Sequence, residues 1–285
     1  MARLIAFLVG VGFVIVLGWS VITGTIAFVR DGKPATAEHE FHRHPKDVDI
    51  KGQSAFSTFD RAQLQRGFQV YKEVCAGCHG LKYVAFRNLA DLGYSEAEVK
   101  AIADQWAVQT PSINPDTGEA AGRKSLASDR FPSPYPNEVA ARAANNNANP
   151  PDLSLITKAR HNGPAYVYSL LSGYQNQPAE LLKRFPEAKT GKGLYYNPYF
   201  PNLNIAMPPP LTAEGQVTYA DGTKPTVDQM AKDVAAFLTW TAEPNLERRH
   251  QTGFAVLIFL LVFTTLAYMS YQNIWASKKG AKAVG

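Results

Sequence analysis

The chain has 285 residues, of which 46% are hydrophobic and 19% charged, and its net charge is +5. Residues 38–247 carry 21 Lys/Arg against 23 Asp/Glu, so the excess positive charge lies beside the apolar segments at the two ends. A nucleic-acid-binding protein would concentrate that charge on its folded body, and the distribution therefore excludes this class. It is typical of a membrane protein with cationic flanks.

The first predicted element is an uncharged apolar helix over residues 4–29, between Arg3 and Arg30. It is long enough to cross a bilayer and longer than the apolar core of an ordinary signal peptide. The segments 25–27 (TIA) and 35–37 (ATA) resemble cleavage sites, so residues 1–30 are either a cleaved signal peptide or a retained signal-anchor helix. The single preceding Arg orients the N-terminus to the cytoplasm and exports the chain that follows. The lack of an Arg- and Ser-rich transit peptide favours a bacterial origin.

Residues 31–55 are interpreted as a polar linker. His39, His42 and His44 lie close together there and raise the alternative of a metal site. No acidic or cysteine ligand set accompanies them, so we favour a solvated linker.

A helix is predicted over residues 60–74, because Leu64, Phe68, Tyr71 and Val74 recur at steps of three and four residues. It runs into the segment 75–79 (CAGCH). Cys-x-x-Cys-His is the pattern of covalent haem attachment: each thiol adds to one haem vinyl group, and the adjacent histidine gives an axial nitrogen to the iron.

Two other chemistries use closely spaced cysteines, namely a thioredoxin-like redox pair and half of a zinc site. The chain has no cysteine besides Cys75 and Cys78 to complete a zinc site, and a redox pair does not need His79. Haem attachment is therefore the favoured interpretation, and it leaves no cysteine for a structural disulfide.

A further helix is predicted to begin at Ser95, with Glu98 completing a capping box. Trp106 follows its apolar face, as a core residue or, alternatively, as a haem contact. Residues 111–152 are rich in Pro, Asn and Gly and predict irregular structure. Within them, Arg142 is a candidate partner for a haem propionate or a solvated surface residue.

A helix is predicted to begin at Asn162 or Gly163. His161, just before it, is one candidate for the sixth ligand of the haem iron, opposite His79. The favoured sixth ligand is Met207, which precedes three prolines, 208–210, that restrict its loop. Met1 starts the chain, Met230 lies on a helix face, and the fourth methionine is in an apolar span, so elimination favours Met207. His/Met ligation raises the potential of a haem and suits an electron carrier.

The last helix of the body is predicted to be capped by Thr226 with Gln229 as its partner, and to end before Pro244. A second apolar span follows over residues 254–271. The aromatic residues after it fit an interfacial belt, and Lys278, Lys279 and Lys282 place the C-terminus in the cytoplasm. The predicted organisation is a haem domain over 56–247, a transmembrane helix with its flank over 248–277, and a basic tail over 278–285.

Eight segments, in this order, resemble cytochrome c1, the haem c subunit of quinol–cytochrome c reductase (the cytochrome bc1 complex). They are 66–71 (RGFQVY), 131–137 (FPSPYPN), 140–146 (AARAANN), 150–154 (PPDLS), 195–200 (YYNPYF), 207–210 (MPPP), 219–223 (YADGT) and 240–244 (WTAEP). Their number and order make the resemblance far more specific than the haem motif alone.

The resemblance implies a mostly α cytochrome c-type haem domain with long irregular insertions, a C-terminal transmembrane helix and, in addition, the N-terminal apolar helix. It implies one covalent haem c on Cys75 and Cys78, axial ligands His79 and Met207, Arg142 beside a propionate, and a structural role for His161. In cytochrome c folds the last helix of the body packs across the helix before the haem motif.

The implied function is one-electron transfer from a Rieske iron–sulfur protein to a cytochrome c acceptor, with no catalytic acid or base. The implied partners are cytochrome b, the Rieske protein, the acceptor and membrane lipid, without nucleic acid, in a dimeric complex of the bacterial inner membrane with the haem domain in the periplasm. Two alternatives remain: a free-standing membrane-anchored carrier or oxidase subunit, and a haem-based ligand sensor with an open sixth position.

Overall fold

Helices dominate the computed structural model, which describes residues 2–31, 36–51 and 58–280. In chain order the α-helices are α1 Ala2–Asp31, α2 Ala37–Phe41, α3 Arg61–Val70, α4 Glu96–Asp104, α5 Glu138–Ala144, α6 Gly163–Leu171, α7 Ala179–Arg184, α8 Val227–Ala242 and α9 Leu246–Gly280. Two antiparallel strand pairs accompany them: β1 Thr110–Ile113 with β2 Ala120–Arg123, and β3 Tyr195–Tyr196 with β4 Asn204–Ile205. The predicted mostly α fold is confirmed. The predicted boundary at 55/56 and Lys282 lie outside the described residues, as do the side chains of Lys278 and Lys279.

The chain divides into two units. The smaller comprises Met1–His42 and Gln177–Lys189 and contains α1, α2 and α7. Within it, the rings of Phe41 and Phe185 meet edge to face with centroids 6.2 Å apart, and Arg184 pairs with Glu40. The larger unit comprises Arg43–Asn176 and Thr190–Gly285 and contains all the candidate haem-site residues.

The helices α1 and α9 are apolar enough to cross a membrane. The candidate spans are Ala2–Arg30, with mean hydropathy 2.6, and Leu246–Ala276, with mean hydropathy 2.1. Neither apolar window is buried inside the protein, which distinguishes both helices from core helices. Each exceeds the roughly 20 residues needed to cover the hydrocarbon core. Both apolar segments are therefore helical, as predicted.

The helices α3 and α8 cross with their backbones in close contact at Gly67. A Cβ atom on Gly67 would lie 2.1 Å from the carbonyl oxygen of Asp233 and 2.6 Å from the Cβ of Phe237. Only glycine allows two backbones to approach so closely. The predicted packing of the last helix of the body across the helix before the Cys-x-x-Cys-His segment is confirmed.

A polar cluster lies on the same crossing. The carboxylate of Asp233 is fully buried and accepts hydrogen bonds from the Arg66 Nε, at 2.9 Å, and from the Gln229 amide, at 2.8 Å. Arg66 also pairs with Asp221 at 2.6 Å. Because a buried carboxylate without partners costs several kcal/mol, these contacts fix the helix register.

Trp106 belongs to an aromatic cluster in the core. It lies just beyond the end of α4, with its ring centroid 4.9 Å from that of Phe131 and 5.5 Å from that of Phe86. It also stacks against Tyr71 and Phe68 at centroid distances of 6.5 and 6.4 Å. These contacts support the interpretation of Trp106 as a core residue.

The region predicted to be irregular, 111–152, is partly ordered. The β1–β2 hairpin begins it, and α5 lies near its end, where the side chain of Asn137 accepts a hydrogen bond from the Ala140 amide as the N-cap. The prediction was wrong for these elements, because Asn, Pro and Gly also form the tight turns and helix caps that bound short elements.

The predicted helix starts are largely confirmed. Ser95 and Glu98 form the full capping box of α4. Asn162 precedes α6 with φ of 50°, without a side-chain cap. Thr226 accepts from the Gln229 amide, but the Gln229 side chain bonds Asp233 instead of returning to the cap, so this box is only half formed.

We predict that Gly67→Ala lowers the free energy of unfolding by about 3 kcal/mol, because the added methyl group overlaps backbone atoms that cannot move independently. The gain in helix propensity, at most about 1 kcal/mol, does not offset this overlap. Urea unfolding of the detergent-solubilised protein, followed by aromatic circular dichroism, measures the change. Gly191→Ala is the control, since its Cβ would meet only Leu194 at 3.6 Å. Equal midpoints for the two variants would refute the close-packing argument.

Candidate functional site

The helix type changes just before the Cys-x-x-Cys-His segment. After α3 the chain continues as a π-helical turn, Tyr71–Cys75. The amides of Cys78 and His79 then donate to the carbonyl oxygen of Cys75, at 3.1 and 2.9 Å. Both cysteines are free thiols, with Cys75 half-buried and Cys78 exposed. The segment is thus a tight turn fixed to the end of a packed helix.

The environment of the Cys75 thiol is unlike that of a redox-active cysteine. Burial, with a contribution from Cys78, raises the pKa of the Cys75 thiol to about 12. A redox-active cysteine instead has a lowered pKa, since the thiolate is the reactive form. Among the described residues, no group of three His, Cys, Asp or Glu side chains is arranged to hold a metal ion, and this includes the linker histidines.

The ring of His79 is oriented by a backbone acceptor. Its Nδ1 lies 2.7 Å from the carbonyl oxygen of Pro151. A carbonyl only accepts, so Nδ1 carries the proton and the Nε2 lone pair is left for a metal, the usual arrangement of a histidine ligand. Burial lowers the pKa of His79, an effect opposed by the Pro151 hydrogen bond and by the charge of Asp152. The ring is therefore neutral at pH 7, as a ligand must be.

A ladder of hydrogen bonds joins residues 79–83 to residues 151–154. The Leu153 amide donates to the Gly80 carbonyl at 2.9 Å. Further bonds run from the Lys82 amide to Asp152 Oδ2, at 2.8 Å, and from the Tyr83 amide to the Ser154 hydroxyl, at 3.1 Å. This pairing was missed from the sequence, since nothing local indicates which loop meets the motif 70 residues earlier. We call residues 150–154 the PPDLS strap.

A cavity of about 280 Å³ lies beside the second cysteine. Its wall is formed by Cys78, Gly80, Lys82, Phe131, residues 133–138, Ala141, Asn149, Pro150 and Asp152. The phenol of Tyr135 contacts both Cys78 and Asn145 there. Two free thiols, a neutral imidazole with a free Nε2 and an adjacent cavity form a donor set that fits a covalently attached haem.

The remaining candidate residues lie around this centre with different partners. Met207 is half-buried, its carbonyl accepts from the Tyr174 hydroxyl at 3.1 Å, and it is not among the described residues that line the cavity. Arg142 is an exposed residue of α5 whose Nη1 donates to the Asn147 carbonyl at 3.1 Å. His161 is exposed. The structure thus brings together Cys75, Cys78 and His79, and leaves the roles of Met207 and Arg142 as proposals.

The helix crossing, the motif at the end of α3 and the oriented histidine define a membrane-anchored protein of the cytochrome c type. The family model of the Cytochrome C1 family matches residues 50–278. The chain belongs to this family, which implies a haem cofactor.

Three curated relatives illustrate the similarity. The chain is 48% identical to cytochrome c1-2, heme protein, mitochondrial, of Solanum tuberosum over 92% of this chain and 96% of the relative. It is 45% identical to cytochrome c1 of Rhodospirillum rubrum over 83% of this chain and 88% of the relative. It is 48% identical to cytochrome b/c1 of Bradyrhizobium diazoefficiens over 78% of this chain, and there it spans only 34% of the relative.

Proposed function

We propose that this chain is the haem c subunit of a quinol–cytochrome c reductase and transfers single electrons from a Rieske iron–sulfur protein to a cytochrome c acceptor. The observation that carries the proposal is the Cys-x-x-Cys-His turn, with its histidine held by Pro151, in a chain of the Cytochrome C1 family. When bound, the haem supplies a one-electron couple. The protein provides its ligands, its pocket and its docking surfaces, and no acid or base is needed.

Cys75 and Cys78 hold the haem covalently in this proposal. Each thiol would add its S–H across one haem vinyl group, so that the sulfur ends as a thioether on one carbon and the hydrogen on the neighbouring carbon. His79 contributes Nε2 to the iron, and the carbonyl of Pro151 holds its ring.

Met207 would supply the second protein ligand to the haem iron. A thioether is a weak ligand and needs a rigid backbone. The three following prolines and the hydrogen bond from Tyr174 to the Met207 carbonyl support that rigidity.

The membrane arrangement follows from the two spans. We place the haem domain in the periplasm of a bacterial inner membrane and the C-terminus of α9 in the cytoplasm, because the basic tail follows α9. Cytochrome b is a partner, and a relative named cytochrome b/c1 supports this. The complex is a dimer by resemblance to the family.

The proposal is tested by purifying the tagged full chain in mild detergent from its native membrane. We expect haem b bands beside haem c in the reduced-minus-oxidised spectrum, quinol-dependent reduction of cytochrome c, and haem that stays on this chain in denaturing electrophoresis. Haem c alone across a series of progressively milder detergents would overturn the proposal in favour of a free-standing carrier. Rapid CO binding by the reduced protein would instead indicate a ligand sensor.

Met207→Leu is expected to lower the haem midpoint potential, by an amount on the order of 0.1 V within the roughly 0.8 V range set by axial ligands. The variant loses the thioether that favours the reduced iron. Met230→Leu is the matched control, because Met230 is fully buried on α8 and the swap conserves volume. Redox titration of both variants checks the assignment, and an unchanged potential in Met207→Leu rules Met207 out.

Arg142→Ala is expected to lower the midpoint potential. A cation beside a propionate disfavours the oxidised haem, which is the more positive state, and the variant removes that cation. The matched comparison is Arg160→Ala, which removes an exposed arginine that follows the PPDLS strap in the sequence. Its side chain hydrogen bonds to Tyr166. A shift in Arg160→Ala with none in Arg142→Ala would transfer the propionate role to Arg160.

A further inference from the structure

Asp152 occupies the centre of the hydrogen-bond ladder. Its Oδ2 accepts from the Lys82 amide at 2.8 Å, on the motif side, and its Oδ1 accepts from the Ser154 amide at 3.0 Å, within the strap. One carboxylate thus joins the two segments through separate oxygens. Within the described part of the chain no salt bridge engages Asp152, so its polar contacts are directed to backbone amides.

The neighbouring atoms leave this carboxylate little freedom. A Cβ on Gly80 would lie 3.1 Å from Asp152 Oδ2, so the glycine next to His79 leaves room for it. Ser154 is fully buried, and its hydroxyl accepts a hydrogen bond from the Tyr83 amide. This bond is a second side-chain contact between the strap and the chain that follows His79. The side chains of the strap therefore bond the chain at Lys82 and Tyr83, just after the His79–Gly80 step.

The position of the Pro151 carbonyl depends on these bonds. Pro151 has no N–H and cannot anchor itself through a backbone donor. Its carbonyl is fixed by the residues that follow it, of which Asp152 bonds the motif through its side chain and Leu153 bonds the Gly80 carbonyl through its amide at 2.9 Å. Hydrogen bonds to a charged acceptor are the stronger ones, so the bond from the Lys82 amide to the Asp152 carboxylate contributes most to holding the strap against residues 79–83.

We propose that Asp152 is a positioning residue for the axial ligand: it holds the Pro151 carbonyl against His79 Nδ1 and thereby sets the plane and basicity of the imidazole. The inference rests on the proposed function, in which His79 binds the haem iron. A firmly held acceptor makes the imidazole a stronger electron donor and stabilises the oxidised iron. Loosening it raises the midpoint potential and broadens the range of ring orientations.

The test compares Asp152→Ala and Asp152→Asn in the purified complex by electron paramagnetic resonance of the oxidised haem and by redox titration. The g-values of a low-spin ferric haem depend on the orientation of the axial ligand plane. We expect shifted or broadened g-values and a raised potential in Asp152→Ala. Asp152→Asn keeps one acceptor oxygen and loses the charge, so we expect smaller shifts in the same direction.

The matched control is Asp129→Ala. Asp129 also accepts from a backbone amide, that of Leu126 at 2.8 Å, but in the turn paired with Arg123. It is expected to lower stability without moving the g-values. Wild-type g-values and potential in Asp152→Ala would overturn the proposal, whatever the stability. Equal potential shifts in both Asp152 variants with unchanged g-values would also overturn it, because charge alone would explain them.

Two further variants separate the possible failures. If Asp152→Ala does not accumulate, Ser154→Ala replaces it, since it removes only the acceptor of the Tyr83 amide. Unchanged g-values in both Ser154→Ala and Asp152→Asn would then overturn the proposal. His79→Ala tests the ligand itself: if the low-spin signal persists in this variant, the proposed function fails independently of the role of Asp152.

Discussion

The close approach of α3 and α8 at Gly67 is the constraint on which the rest of the larger unit depends. A backbone carbonyl lies where a side chain would otherwise begin, at 2.1 Å from the position of a Cβ. The two helices therefore pack as backbones, and the C-terminal end of α3 has a fixed direction. The cysteines and His79 follow within nine residues of that end, so an error in the crossing would displace the whole Cys-x-x-Cys-His segment.

Apolar and polar residues at the α3–α8 crossing have different effects: the apolar ones stabilise the packing, and the polar ones select its register. Its apolar residues, such as Phe68 and Phe237, are almost fully buried and each contributes about 2 kcal/mol by area. The Arg66–Asp233 pair contributes little net energy, because desolvation of the fully buried carboxylate offsets the attraction. A misregistered crossing would leave that carboxylate unpaired, at a cost of about 3–5 kcal/mol. The apolar contacts thus favour packing, and the polar pair selects one packing.

Much of the secondary structure was predictable from local sequence signals. The capping box at Ser95, the helix before the motif and the two apolar spans depend on residues close in sequence. The β1–β2 hairpin was missed, because its strands are only four residues long and short strands lack a clear period. The strap was missed for a different reason: Asp152 and Lys82 are 70 residues apart, and a pairing of loops leaves no periodic signal. The Cys-x-x-Cys-His segment was therefore recognisable from the sequence, while the strap that contacts His79 was not.

The connection between α8 and α9 limits where the site can lie relative to the membrane. Only residues 243–245 separate the end of α8 from the start of α9. Glu243 pairs with Lys158 at 2.7 Å and with Arg249 at 2.8 Å, and these contacts lower the pKa of its carboxyl against the effect of burial. Partly exposed pairs contribute at most about 1 kcal/mol each, so the shortness of the link is the larger restraint. Because α8 also packs against α3 at Gly67, only residues 243–245 separate the crossing that carries the Cys-x-x-Cys-His turn from the start of the candidate span.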